Sequence, residues 1–251
     1  MSFNQKEQRP PSDYDVYINL FGKFEVTTAA GSVTEGLRAA TPWLLLKYLL
    51  IHQGCEVSLD ELVGTVWPED AASDTGSAVR VRLTRLRSFL DPIGLAGKQG
   101  LVIHHRLNFT LNPDYIVRTD ADEFDKLLAE LRRTPVEDAR GLALCMQALE
   151  LYRGPYLQYT NKDFWFESIQ ESYQKDFCFL AFNTVDRINI TENSESLSLL
   201  SQRVLAFGGN DLELHRAVLA CLGKYAGNTA QKRYVTQLMR SGFVADWLSA
   251  L

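Results

Sequence analysis

Apolar and β-branched residues crowd the stretch "VYINLFGKFEVTT", and this pattern predicts two or more short strands between Val16 and Arg38, with Gly22 at a turn or bulge. The period then lengthens to that of helices. "WLLLKYLLIHQ" reads as a helix with Thr41 as its cap, Pro42 at the first helical position and Gly54 at its stop. Ser58 caps "LDELVGTVW", with Glu61 three residues on in the spacing of a capping box, and Pro68 ends that helix. "PEDAASDTG" is a polar loop. "SAVRVRLTRLRSFL", residues 77–90, is a third helix, stopped by Asp91, Pro92 and Gly94. "GLVIHH" and "LNFTLNP" then read as a β-hairpin turning between Arg106 and Asn108. Strands, three short helices and a hairpin make the order of a winged helix-turn-helix.

Beyond Asp120 the pattern is helical almost throughout. The segments "ADEFDKLLAEL", "VEDARGLALCMQALELYRG", "DFWFESIQESYQKDFCFLAFNTVDRINI", "SESLSLLSQRVLAFGG", "DLELHRAVLACLGKYAGN" and "TAQKRYVTQLMRSGF" all place apolar residues at i, i+3 and i+4. The last three recur at roughly 17–18 residues, so a helix pair repeats near 34, the period of tetratricopeptide hairpins. The fold class expected is therefore an α+β N-terminal winged helix-turn-helix followed by an all-α, tetratricopeptide-like domain. Residues 1–14 are read as a disordered leader, 15–115 as the winged domain and 116–251 as the helical domain.

Charge changes this picture at one place. The chain carries 31 acids against 26 bases, a net charge of −5, which argues against a protein that coats nucleic acid with its whole surface. Yet Arg80, Arg82, Arg85 and Arg87 fall within one helix, and no acid appears from Thr75 to Leu90. At about 100° per residue, Val79, Leu83, Leu86 and Leu90 form one apolar stripe. Arg80 and Arg87 flank it on one side, Arg82 and Arg85 on the other. Ser77, Val81, Thr84 and Ser88 lie opposite. Solvated helix faces usually mix charge signs to gain i,i+4 pairs, and this one does not. Short residues framed by arginines suit a helix pressed into a major groove, where Val81 can touch a thymine methyl and Arg can take a guanine. In the hairpin, His104, His105 and Arg106 stand where a wing reaches DNA, although surface strand histidines are the plainer reading of the pair.

The remaining chemistry is sparse. Cys55, Cys145, Cys178 and Cys221 are scattered and form no C-x-x-C pair, which fits a reducing cytoplasm. No metal-ligand spacing, P-loop, G-x-G-x-x-G, H-E-x-x-H or G-x-S-x-G occurs, so neither a cofactor nor catalysis is expected. The run "TPWLLLKYLLI" is too short to span a membrane.

The stretches "INLFGKFEV", "VSLDELVGTVWPED", "SAVRVRLTRLRSFL", "VRTDADEFDKLL", "ALELYRGPYL" and "DLELHRAVLACLGKYAGNTAQKRYVTQL" together resemble the SARP-type bacterial transcriptional activators, over roughly Val16 to Met239. These join a response-regulator-type winged helix to a bacterial transcriptional activator domain (BTAD). The resemblance implies a sequence-specific DNA-binding activator that binds double-stranded DNA and contacts RNA polymerase, with a helical domain that serves oligomerisation or partner contacts. It assigns Val81, Arg82 and Arg85 to bases. It assigns Thr41, Thr75, Ser77 and Arg87 to the backbone, and Arg80 joins that set from its place on the flank. The loop "PEDAASDTGS" corresponds to the segment that faces RNA polymerase. Two departures stand out. The family wing carries a glycine pair where this chain has "HHRLNF", leaving Asn108 to adopt the left-handed conformation, and the chain stops at "WLSAL" without the longer repeat tail of many members. The alternative function is a protein-interaction adaptor that works through its helical half, where 15 bases meet 19 acids over residues 111–251.

Overall fold

In the computed structural model, residues 14–36, 40–68, 75–158, 160 and 164–242 are described. The leader read over residues 1–14, apart from Tyr14, and positions 69–74 of the loop expected to face RNA polymerase lie outside them. The chain forms two compact units. One takes the chain up to Ile18 and Phe24–Thr119; the other takes Asn19–Lys23 and Asp120–Leu251.

The first unit opens with β1 (Val16–Asn19), β2 (Glu25–Thr28) and β3 (Gly31–Thr34). They join β7 (Val117–Thr119) in a sheet ordered β3-β2-β1-β7, with β1 and β7 parallel. Helix α1 (Ala40–Ile51) is buried from Pro42 to Leu50. It begins one residue before the expected cap, so Thr41 is an exposed residue of the first turn and not its cap. Pro42 still falls where backbone N–H groups have no intrahelical acceptor. A helix buried on nearly every side has no solvent face for a charge, and Lys47, which interrupts the apolar run, is 1% exposed. Its Nζ meets the Glu35 carboxylate at 2.6 Å and lies 5.1 Å from the centre of the Phe24 ring. Desolvation pulls the Lys47 pKa below the usual lysine range, and the Glu35 contact opposes that pull.

β4 (Val57–Ser58) leads into α2 (Leu59–Val66), followed by α3 (Thr75–Leu90) and a single 3-10 turn, Asp91–Ile93, closed by Gly94 at φ +77°. β5 (Val102–His105) and β6 (Asn108–Leu111) form a hairpin, and β4 pairs on the other side of β6. Ser58 caps α2 as the spacing predicts, its Oγ accepting from the Glu61 N–H at 3.2 Å. The reciprocal half of the capping box is replaced, because the Glu61 carboxylate accepts from the Tyr48 hydroxyl of α1 at 3.0 Å. That contact joins α2 to α1.

The second unit consists of α4 (Asp120–Leu131), α5 (Ala139–Leu151), α6 (Glu167–Thr191), α7 (Leu197–Phe207), α8 (Leu212–Tyr225) and α9 (Gly227–Arg240), plus the segment Asn19–Lys23. That segment is held by its backbone and by one ring. The buried Asp120 carboxylate accepts from Leu20 N–H at 2.6 Å and Phe21 N–H at 3.2 Å. Phe21 packs among Phe124, Tyr152, Tyr156 and Tyr173 with ring centres 4.9–6.3 Å away. Gly22 sits at φ +76°, where a Cβ would meet the Arg153 carbonyl oxygen at 2.9 Å, so the expected turn is also a close approach. Of the aromatic residues of α6, Phe177 is fully buried and stacked on Tyr152, while Tyr173, Phe179 and Phe182 are half-buried.

Arg187 of α6 is 1% exposed and organises the turn between α4 and α5. Its guanidinium donates to the carbonyls of Thr134, Pro135, Val136 and Asp138 at 2.9–3.3 Å. A carbonyl cage replaces the carboxylate that a buried arginine usually needs. Helices α7, α8 and α9 begin at Leu197, Leu212 and Gly227, each fifteen residues after the last. The repeat is thus shorter than the 17–18 residues expected, because the connections are only a few residues long. No helix among the described residues is long and apolar enough to cross a membrane.

Candidate nucleic-acid interface

Helix α3 presents two unlike sides. Val79, Leu83, Leu86 and Leu90 are at most 4% exposed, so the stripe projected from the sequence is the buried one. The flanking Phe89 stacks on Trp43 of α1 at 5.7 Å, which fixes the helix against the centre of the unit. On the other side Ser77, Arg80, Val81, Thr84, Arg85 and Ser88 are exposed, Val81 by 50%. The Thr84 hydroxyl donates to the Arg80 carbonyl at 2.9 Å and the Ser88 hydroxyl to the Thr84 carbonyl at 3.1 Å. Both side chains therefore lie along the helix and keep its front low. Among the described residues, the Arg80 and Arg85 side chains have no ion-pair partner.

The other two arginines are turned inward. The Arg82 guanidinium lies over the indole of Trp67, its Cζ 4.3 Å from the ring centre, and Trp67 itself is 1% exposed at the end of α2. Arg87 donates through Nη2 to the Val102 carbonyl of β5 at 3.1 Å. Burial lowers its pKa from the ordinary arginine value, since the charged form is the one that loses water. Of the expected base readers, Arg85 thus stands on the open face and Arg82 at its edge. Of the expected backbone contacts, Arg80 and Ser77 are open, Arg87 is half-buried, Thr75 opens the helix, and Thr41 is exposed in the first turn of α1.

The hairpin is tighter than its sequence implies. His105 pairs with Asn108, leaving Arg106 and Leu107 as a two-residue tip. The left-handed residue is Arg106, at φ +56°, and not Asn108, which lies in β6. The register explains this correction: a strand partner cannot also be the turn residue. Asn108 instead donates to the Glu56 carboxylate at 2.7 Å, and the Leu59 N–H donates to the Leu107 carbonyl at 2.7 Å. These bonds tie the tip to the start of α2. His105 and Arg106 are exposed, while His104 stacks on its cross-strand partner Phe109 at 4.6 Å. Leu107, 58% exposed, is a tip residue that the sequence reading passed over, because alternation alone does not say where a strand ends. Trp67 went unnoticed as a platform for the same kind of reason, since its contact with Arg82 joins two helices.

No protein-family profile matches the chain, and no curated protein matches it in sequence. Among solved structures it is similar to Mycobacterium tuberculosis EmbR in complex with a low-affinity phosphopeptide, with a TM-score of 0.52 and 16% identity over 94% of this chain and 68% of that one. The chain shares the fold of EmbR. The likeness to EmbR spans both units, the small β-containing one and the helical one that follows it. The phosphopeptide is a ligand of EmbR in that structure.

Proposed function

We propose that this chain is a sequence-specific DNA-binding transcriptional regulator, an activator of the SARP type, and not an enzyme. The first unit acts as a winged helix-turn-helix, α3 as its recognition helix in the major groove and the β5–β6 hairpin as its wing. One observation carries the reading. The exposed face of α3 is free of acids, low in profile and edged by the open cations Arg80 and Arg85, while the opposite face is fixed in the core. In a groove this arrangement brings Val81 and Arg85 to base edges and leaves Arg80, Ser77 and Thr41 for the phosphates. His105 and Arg106 reach the flanking groove from the wing. The fold shared with EmbR supports the reading. The tetratricopeptide-like helical unit supplies oligomer or RNA polymerase contacts in the cytoplasm.

The test is binding of the full chain to duplex DNA selected from a random pool. The expected outcome is a log K that falls linearly with log salt, and a large loss in an Arg80→Ala/Arg85→Ala double variant. Wild-type binding no stronger than that of the double variant excludes the reading and leaves the helical unit, as an adaptor, to carry the function.

A further inference from the structure

The four arginines of α3 are held in two different ways. Arg82 lies on the indole of Trp67, a buried residue at the end of α2. Arg87 donates to the Val102 carbonyl in β5, the strand that runs into the hairpin tip. Arg80 and Arg85 stand exposed. We propose that Arg82 and Arg87 are positioning residues that seat α3 against α2 and the wing, and that Arg80 and Arg85 are the arginines of this helix that contact DNA. The proposal rests on the DNA-binding reading above and deepens it.

The helix geometry shows why the division falls this way. With about 100° per residue, Arg85 lies about 130° and Arg80 about 90° from the centre of the buried stripe, whereas Arg82 and Arg87 each lie only about 70° from it. A long side chain so close to the core boundary lays its stem on apolar surface and its head on whatever polar or aromatic group borders it. For Arg82 that is an indole face, and for Arg87 a strand carbonyl. Arg82 thereby sets the angle between α2 and α3. Arg87 sets the distance from α3 to the wing, because Val102 is locked in register with Leu111. If recognition helix and wing enter neighbouring grooves, their spacing must be fixed before DNA arrives.

The experiment compares full-length wild type with Arg80→Ala, Arg85→Ala, Arg82→Met, Arg87→Met and Arg87→Gln. Anisotropy of a labelled duplex, selected from a random pool, is followed from about 50 to 200 mM salt, below each variant's melting temperature. Arg80→Ala is expected to reduce the slope of log K against log salt by roughly 0.9, the loss of one neutralised phosphate, and Arg85→Ala to bind about 5- to 150-fold more weakly, the loss of one base contact. Arg82→Met and Arg87→Met are expected to keep the wild-type slope and to bind about 2- to 30-fold more weakly, the range that corresponds to one lost cation–π contact or polar anchor. Arg87→Gln, neutral but still a donor for the Val102 carbonyl, is expected to restore affinity. A merely structural role leaves affinity unchanged below the melting temperature and so predicts no loss in either Met variant. The proposal is overturned if Arg82→Met or Arg87→Met lowers the slope as much as Arg80→Ala, if neither weakens binding, or if Arg87→Gln binds as weakly as Arg87→Met. In those cases the DNA-binding reading stands. Absence of salt-dependent binding by wild type overturns both.

Discussion

Two buried charged residues of the helical unit show how much single side chains carry. Gly141 of α5 faces Arg187 so closely that an added Cβ would overlap Nη1 of the guanidinium. Gly141→Ala must therefore expel the guanidinium from its four carbonyls, and the expected loss is about 3 kcal/mol, in the range for breaking a buried polar network. Urea unfolding followed by circular dichroism measures it. Asp120 responds to pH. Burial is the largest influence on it and raises its pKa to about 7 from 3.8, against the opposing pull of the Leu20 and Phe21 N–H groups and of Arg153. The folded state then binds a proton more tightly than the unfolded one between pH 4 and 7. Its contribution accordingly favours the fold at and below pH 4 and is lost as pH rises to 7, by at most about 4 kcal/mol at 1.36 kcal/mol per unit. In Asp120→Asn this part of the pH dependence of unfolding is expected to vanish; an unaltered profile would contradict it.

At the scale of elements the hairpin is the informative case. A non-glycine residue in the left-handed region is strained by about 1 kcal/mol, and Arg106 at the hairpin tip stands there at φ +56°. Arg106→Gly is expected to raise stability by up to about 1 kcal/mol, less the entropy that glycine adds to the unfolded chain. Under the proposed function the same change weakens DNA binding, because it removes a wing cation. Thermal melting and DNA titration of the one variant should thus move in opposite directions. Much of the element order was legible: the three helices of the first unit, the Ser58 cap, the hairpin and the helical remainder all follow from period and punctuation. β4 and β7 were not. A two-residue strand has no period to read, and β7 pairs in parallel with β1, about a hundred positions away in sequence. The inward turn of Arg82 and Arg87 was half legible, since the helical wheel places both beside the stripe. Which group receives each head depends on α2 and β5.

For the molecule as a whole, the acidic total and the basic helix are compatible. Charges beyond roughly 8–10 Å are screened, so the net charge of −5 neither attracts DNA nor cancels the field of Arg80 and Arg85 nearby. A footprint of so few cations predicts a shallow salt dependence, with log K falling by roughly 2 to 4 per decade of salt per chain. A slope near −10 per chain would mean that the contact surface extends far beyond α3 and the wing. The sequence by itself determined the helix periods, the buried stripe of α3, the concentration of arginine there and the exclusion of acids from it, because these depend on spacing and composition along one element. Only the tertiary structure decided that Trp67 and the Val102 carbonyl take two of those arginines, that Arg106 is the left-handed tip residue, and that Phe21 belongs with the helical unit. Each of these depends on which distant backbone or ring comes within a few ångströms, and local pattern carries no record of that.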